Sequence, residues 1–200
     1  MKTLSGTWRK WTAVTLLALA TGAAQAHTGH VTVGFVEGVA HPFGLDHLLA
    51  MVAVGVWSVC SLPPQRAWWG PAMFLLTLVA SAALGTTGFT VPYLEHAIAL
   101  SVVGFGLMLV FARRGVHMSG GLGLVALAAA LHGLAHGAEA PDSGFAGYAT
   151  GFLLTTAALH LSGVFIALGI QRFVSRHKQW VVAGLGAVYS GTGMYLLQQL

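Results

Sequence analysis

The feature that most limits what this chain can fold into is a succession of six apolar runs, at 44–60, 68–87, 94–112, 120–137, 145–170 and 180–197, separated by short polar loops. Each run is close to the roughly 20 residues that carry an α-helix across a bilayer. A segment in hydrocarbon must satisfy its own backbone hydrogen bonds, so lone apolar runs of this length are read as helices. Only 7% of the residues are charged and the mean hydropathy is +0.77, whereas roughly a quarter of a soluble domain is charged. The expectation is an all-α membrane protein, a bundle of about six transmembrane helices. The loops are too short to fold separately, so residues 27–200 are expected to form one domain.

The first 26 residues carry a different signature. Lys2, Arg9 and Lys10 precede the run AVTLLALA, which leads to Ala24-Gln25-Ala26, the arrangement of a cleaved signal peptide. Cleavage after Ala26 leaves His27 as the new terminus, with His30 three residues on, outside the cytoplasm. Six crossings then put loops 62–67, 112–119 and 171–179 in the cytoplasm. They hold Arg66, Arg113, Arg114, Arg172, Arg176 and Lys178, every basic residue after the signal, as the positive-inside rule requires. Glu37, Asp46, Glu95, Glu139 and Asp142 fall on the other side. The expected location is the bacterial inner membrane, multi-pass, with a periplasmic N-terminus.

Several function classes drop out. The basic residues are scattered, so no nucleic-acid partner is expected. The single cysteine, Cys60, allows neither a disulfide framework nor a cysteine metal site. Neither GxxxxGK[ST] nor HExxH occurs, which removes an ATP-binding loop and a zinc-protease helix. The chain is expected not to be an enzyme.

The stretch HPFGLDHLLAM, residues 41–51, sets two histidines and an aspartate at the mouth of an apolar run, where such groups are costly. Helix-start chemistry explains Pro42 and Asp46 but neither His41 nor His47. In LHGLAHGAE, His132 and His136 stand four apart on one helix face with Glu139 three further on. An i, i+4 histidine pair suits Ni²⁺, Zn²⁺, Cu²⁺ or Fe. The third run opens with Glu95 and His96, so three helices bring imidazole or carboxylate to one level, a metal-binding mouth. Asp46 and His47 are adjacent and point apart, so one ligates while the other orients a neighbour. Met51 is read as packing, and His96 and His117 as hydrogen-bonded to backbone carbonyls. His160 lies about 15 residues into the fifth run, near mid-membrane. With Thr155, Thr156 and Ser162 nearby, it is either a second station on a pathway or an interhelical hydrogen bond. Gly133 and Gly137 are spaced to let helices approach closely.

The segments HPFGLDHLLAMVAVGVW, LEHAIALSVVGFGLML, LHGLAHGAE and TTAALHLSG resemble, in order and position, the HupE/UreJ family of hydrogenase- and urease-accessory proteins, regarded as nickel or cobalt permeases. The resemblance covers essentially the whole mature chain. It implies that His41, Asp46, His47, Glu95, His132, His136 and Glu139 handle metal, and that His27 and His30 capture it at the mature N-terminus. The chain departs from the family pattern in having one residue fewer between Pro42 and Gly44, and in carrying Leu131 where an aromatic residue is usual. The resulting expectation is a secondary transporter that brings a divalent metal, Ni²⁺ or else Co²⁺, from periplasm to cytoplasm for metalloenzyme maturation. Its partners would be the lipid bilayer and the metal ion as substrate, with no permanently bound cofactor. Two alternatives stand beside it: a membrane-embedded metal sensor or accessory protein, and a b-type haem protein with haem between His160 and His132 or His136.

Overall fold

The structure, a computed structural model, describes residues 34–112, 117–141 and 145–200. The expected signal peptide, and with it His27 and His30, lies outside the described residues. Among those described there are seven α-helices and no strand: α1 Phe35–Ala40, α2 Leu45–Ser61, α3 Trp69–Gly85, α4 Leu94–Val110, α5 Met118–Ala138, α6 Phe145–Phe173 and α7 Lys178–Leu197. All six apolar runs fold as helices, α2 to α7. Four helical segments are long and apolar enough to cross a membrane: Pro64–Gly85, α5, α6 and α7. A fifth is present if Phe35–Phe43 and Leu45–Ser61, bent by 77° at their junction, count as one broken span. The 17 residues of α4 reach about 25 Å at 1.5 Å per residue, slightly less than the hydrocarbon thickness of about 30 Å.

Local chemistry sets the breaks. Between α1 and α2 the chain passes through a 3-10 turn, His41–Phe43, with Pro42 near its start, and then Gly44 in an extended conformation at φ −50° and ψ 137°. A proline that cannot donate and an extended glycine together interrupt the helical hydrogen-bond ladder. At the far end of α2, Leu62 is extended (φ −98°, ψ 154°), the conformation a following proline imposes. Tyr93, at φ 57°, is left-handed and turns the chain into α4.

The bundle is organised around α2. Its residues His47 and Ala50 through Ser58 are all buried, and it packs chiefly on α6, with α4 and α3 alongside. A helix apolar all round belongs inside a bundle, and here its polar first turn is carried inside as well. The other main pairings are α3 with α5, α4 with α7, and α1 with α6. Glycines permit these contacts. A side chain on Gly137 would strike the Ala82 carbonyl, and one on Gly133 the Leu78 carbonyl and the Ser81 hydroxyl. The close approach expected at these two positions is therefore present. Gly55 meets the His160 carbonyl in the same way.

The paired residues also give directions: α3 runs parallel to α5, and α2 to α6, where Gly55 meets the His160 carbonyl and Gln171 donates to the Val59 carbonyl further along, while α4 and α7 are antiparallel, since Gly106 faces Gly186 and Val103 faces Gly193. Strict up-down alternation of α2 to α7 produces the same set. Cys60, Val110, Gln171 and Lys178 line one cavity, so the ends of α2, α4 and α6 meet the start of α7 at one end of the bundle. Arg66 joins the start of α5 to that end through a bond from Nη1 to Met118 Sδ, 3.6 Å. The exterior is apolar, with Leu76, Phe165 and Val188 outward, as contact with lipid requires.

Candidate metal centre

The break ahead of α2 and the last two turns of α5 converge at the end of the bundle opposite that cavity. Asp46, in the first turn of α2, accepts two hydrogen bonds at Oδ1. One comes from the His47 backbone N–H at 2.9 Å and one from the His47 ring at Nδ1, 3.0 Å. A carboxylate oxygen only accepts, so the His47 proton sits on Nδ1 and its Nε2 holds the lone pair. That Nε2 faces His136 Nε2 in close contact. The other nitrogen of His136, Nδ1, is 2.8 Å from His41 Nε2. His41 Nε2 is in turn 3.4 Å from Glu139 Oε2, which lies 4.0 Å from His136 Nδ1.

One ligand atom each from His41, His136 and Glu139 lie within 4.8 Å of one another. Ligands around a first-row divalent ion sit at about 2.0–2.2 Å from it, so three atoms this close need only small shifts to share an ion. Side-chain exposure falls along the row from 56% at Glu139 to 22% at His41 and 4% at His136. The row thus leads from an exposed carboxylate to a buried imidazole. It continues inward: the His47 ring is 4.2 Å from that of His136 and 4.5 Å from that of His132, centroid to centroid. His132 is fully buried. Its Nδ1 donates to the Ala128 carbonyl at 3.0 Å, which leaves Nε2 as a buried lone pair with no partner.

A family model described as HupE / UreJ protein matches residues 14–196. The chain belongs to the HupE/UreJ family. Among curated proteins, Protein HupE of Rhizobium leguminosarum bv. viciae is 40% identical over 156 residues, covering 76% of this chain and 81% of that protein. No solved structure matches. With its apolar helices, this HupE/UreJ protein is a multi-pass membrane protein.

The residues expected at the site fall as follows. His47, His132, His136 and Glu139 converge with His41, which the 3-10 turn brings back over His136. Asp46 touches only His47 among them, through the two bonds to its Oδ1. Glu95 stands exposed in the first turn of α4, within electrostatic reach of Asp46, His47 and Glu139 but outside the three-ligand group. Met51 is wholly buried in the apolar core, as packing demands. The carbonyl bonds expected for His96 and His117 are replaced by an edge-on contact of His96 with Tyr93, 5.7 Å between centroids, and by exposure of His117. His160 makes its nitrogen bond within its own helix, Nδ1 to the Thr156 carbonyl at 2.7 Å, so the interhelical bond considered for it gives way to a local one. Two residues of α6 escaped the sequence reading. Tyr148 and Phe152 wall the cluster, with centroids 5.6 Å and 4.4 Å from His41 and His136 respectively. Their four-residue spacing was visible, but an aromatic pair inside an apolar run looks the same whether it faces lipid or a site.

Proposed function

We propose that this HupE/UreJ protein is a secondary transporter importing a divalent transition metal, Ni²⁺ in the first place and Co²⁺ in the second, from periplasm to cytoplasm for metalloenzyme maturation. The observation that carries this is the row Glu139, His41, His136, His47, His132, in which imidazoles follow one another from an exposed rim into the bundle. Imidazole favours late first-row metals over Mg²⁺ and Ca²⁺, which prefer oxygen-only sites. The rim carboxylates of Glu139 and Glu95 attract the hydrated cation, and the imidazoles replace part of its water. Few ligands at each step keep binding reversible.

The proposed topology has six crossings, α2 to α7, with α1 lying against the outer end of α6. The end bearing Arg66, Arg172, Arg176 and Lys178 faces the cytoplasm, consistent with the positive-inside rule. Once residues 1–26 are removed, His27 and His30 raise the metal concentration at the mouth. An inside-negative potential supplies about 2.3 kcal/mol per charge per 100 mV, so a divalent ion gains roughly 4.6 kcal/mol, enough for accumulation without ATP. The haem alternative is disfavoured by Phe74, fully buried and packed 5.8 Å from the His132 ring and 5.0 Å from that of His160, where a macrocycle would have to lie.

The test is radioactive nickel accumulation in cells expressing the protein, in excess Mg²⁺, against a His132→Ala/His136→Ala variant at equal membrane abundance. Loss of accumulation in the variant is expected. A wild type that accumulates no more than empty cells ends the permease reading, and a protein that binds nickel without changing cellular content is a sensor.

A further inference from the structure

Beyond the outer cluster, the interior holds buried polar atoms that outer binding does not use. His160 is 1% exposed and Thr156 0%. His160 Nε2 and Thr156 Oγ1 both lack a hydrogen-bond partner, as does His132 Nε2. Most buried polar atoms are paired, and each exception needs a reason. His160 carries its proton on Nδ1, held by the Thr156 carbonyl, so its unpartnered nitrogen is a lone pair already set for a metal. The neighbouring hydroxyls are otherwise engaged: Thr155 donates to the Val39 carbonyl at 3.1 Å and Ser162 to that of Leu159 at 2.7 Å. Thr156 is therefore the hydroxyl left free, one helical turn from His160 on the same stripe. The Phe74 ring, in contact with both His132 and His160, is the apolar partition between the outer row and this pair.

We propose that His160 Nε2 and Thr156 Oγ1 form a second, inner metal station that receives the ion after His132. The direction of travel rests on the permease reading; the binding site itself does not. One imidazole and one hydroxyl leave most of the ion's shell to water or to His132, which makes the station a transit point and not a trap.

The experiment uses purified full-length protein and Ni²⁺ as the probe, by equilibrium dialysis, in a background lacking the outer ligands ahead of His132: His27→Ala, His30→Ala, His41→Ala, His47→Ala, His136→Ala and Glu139→Ala. One ion per chain is expected to remain bound, and to be lost when His160→Asn is added. Asparagine keeps a donor for the Thr156 carbonyl but replaces the imidazole nitrogen with a shorter amide whose oxygen is a poorer ligand for Ni²⁺, and an unchanged elution profile and thermal midpoint identify a folded variant. Thr156→Val, which is isosteric, is a second variant; it should weaken the inner site about tenfold, the usual scale for losing a supporting ligand contact. A background protein that binds no nickel, or one whose bound nickel is unaffected by His160→Asn and Thr156→Val, overturns the inner station. Cells complete the separation. Inner binding by a protein that accumulates no nickel removes the permease reading alone, whereas full accumulation and unchanged binding with His160→Asn remove the inner station alone.

Discussion

Replacing Asp46 tests whether the cluster is pre-set by its tautomers. Asp46 Oδ1 holds the His47 ring proton at 3.0 Å and the His47 backbone N–H at 2.9 Å, and so directs the His47 lone pair at His136. Asp46→Asn keeps an acceptor of the same shape but loses the charge. A bond to a charged group contributes about 1.5–3 kcal/mol net and a neutral one about 1 kcal/mol. The Asp46 side chain is 29% exposed, so solvent screening favours the lower end, a loss of about 0.5 kcal/mol or roughly twofold in Kd. Asp46→Ala frees the ring to rotate and to exchange tautomers, and a metal site that loses such a partner typically weakens about 10- to 100-fold. Nickel titration of the purified protein, with cellular uptake alongside, should therefore rank wild type, Asp46→Asn, Asp46→Ala and His136→Ala in descending affinity. Two results refute the argument. Asp46→Ala binding as well as wild type means the tautomer is not set by Asp46, and Asp46→Ala failing as completely as His136→Ala means that Asp46 is itself a ligand.

Glu139→Gln should weaken nickel affinity by about tenfold at the rim while leaving the histidine row intact, and uptake at saturating nickel should be less affected than at trace levels. Gly137→Val should lower stability by about 1–3 kcal/mol through overpacking against the Ala82 carbonyl. Gly123→Ala, which points into open space, should leave the thermal midpoint of the purified protein where it is.

Much of this arrangement was legible because membranes punish polar groups. Residues 132, 136 and 139 share a stripe by helical periodicity alone, and the cost of placing them in an apolar run pointed to ligation. His47 followed from the same cost. What could not be read was the path of the chain before α2. FVEGVA is six residues long, too short for a periodic signal, and its turn back over α6 decides where His41 points. The shorter spacing between Pro42 and Gly44 gives no bearing for His41, because a 3-10 turn, and not a continuous helix, carries it. Nor does helix order in the chain reveal which helix stands in the middle: α2 is enveloped because its partners α6 and α4 come from distant sequence, and no local pattern records that.

The pairing of α2 with α6 also has a consequence in time. Gly55 and the His160 carbonyl that abuts it are separated by about a hundred residues of chain, which a ribosome takes roughly 5–20 s to add. During that interval the central helix is already made while its principal partner is not, and its polar first turn has no bundle around it. The one bond that protects His47 in the meantime is its bond to Asp46, the preceding residue, which forms without waiting for any other helix. An aspartate placed beside that histidine serves the half-built chain first and the proposed metal site afterwards.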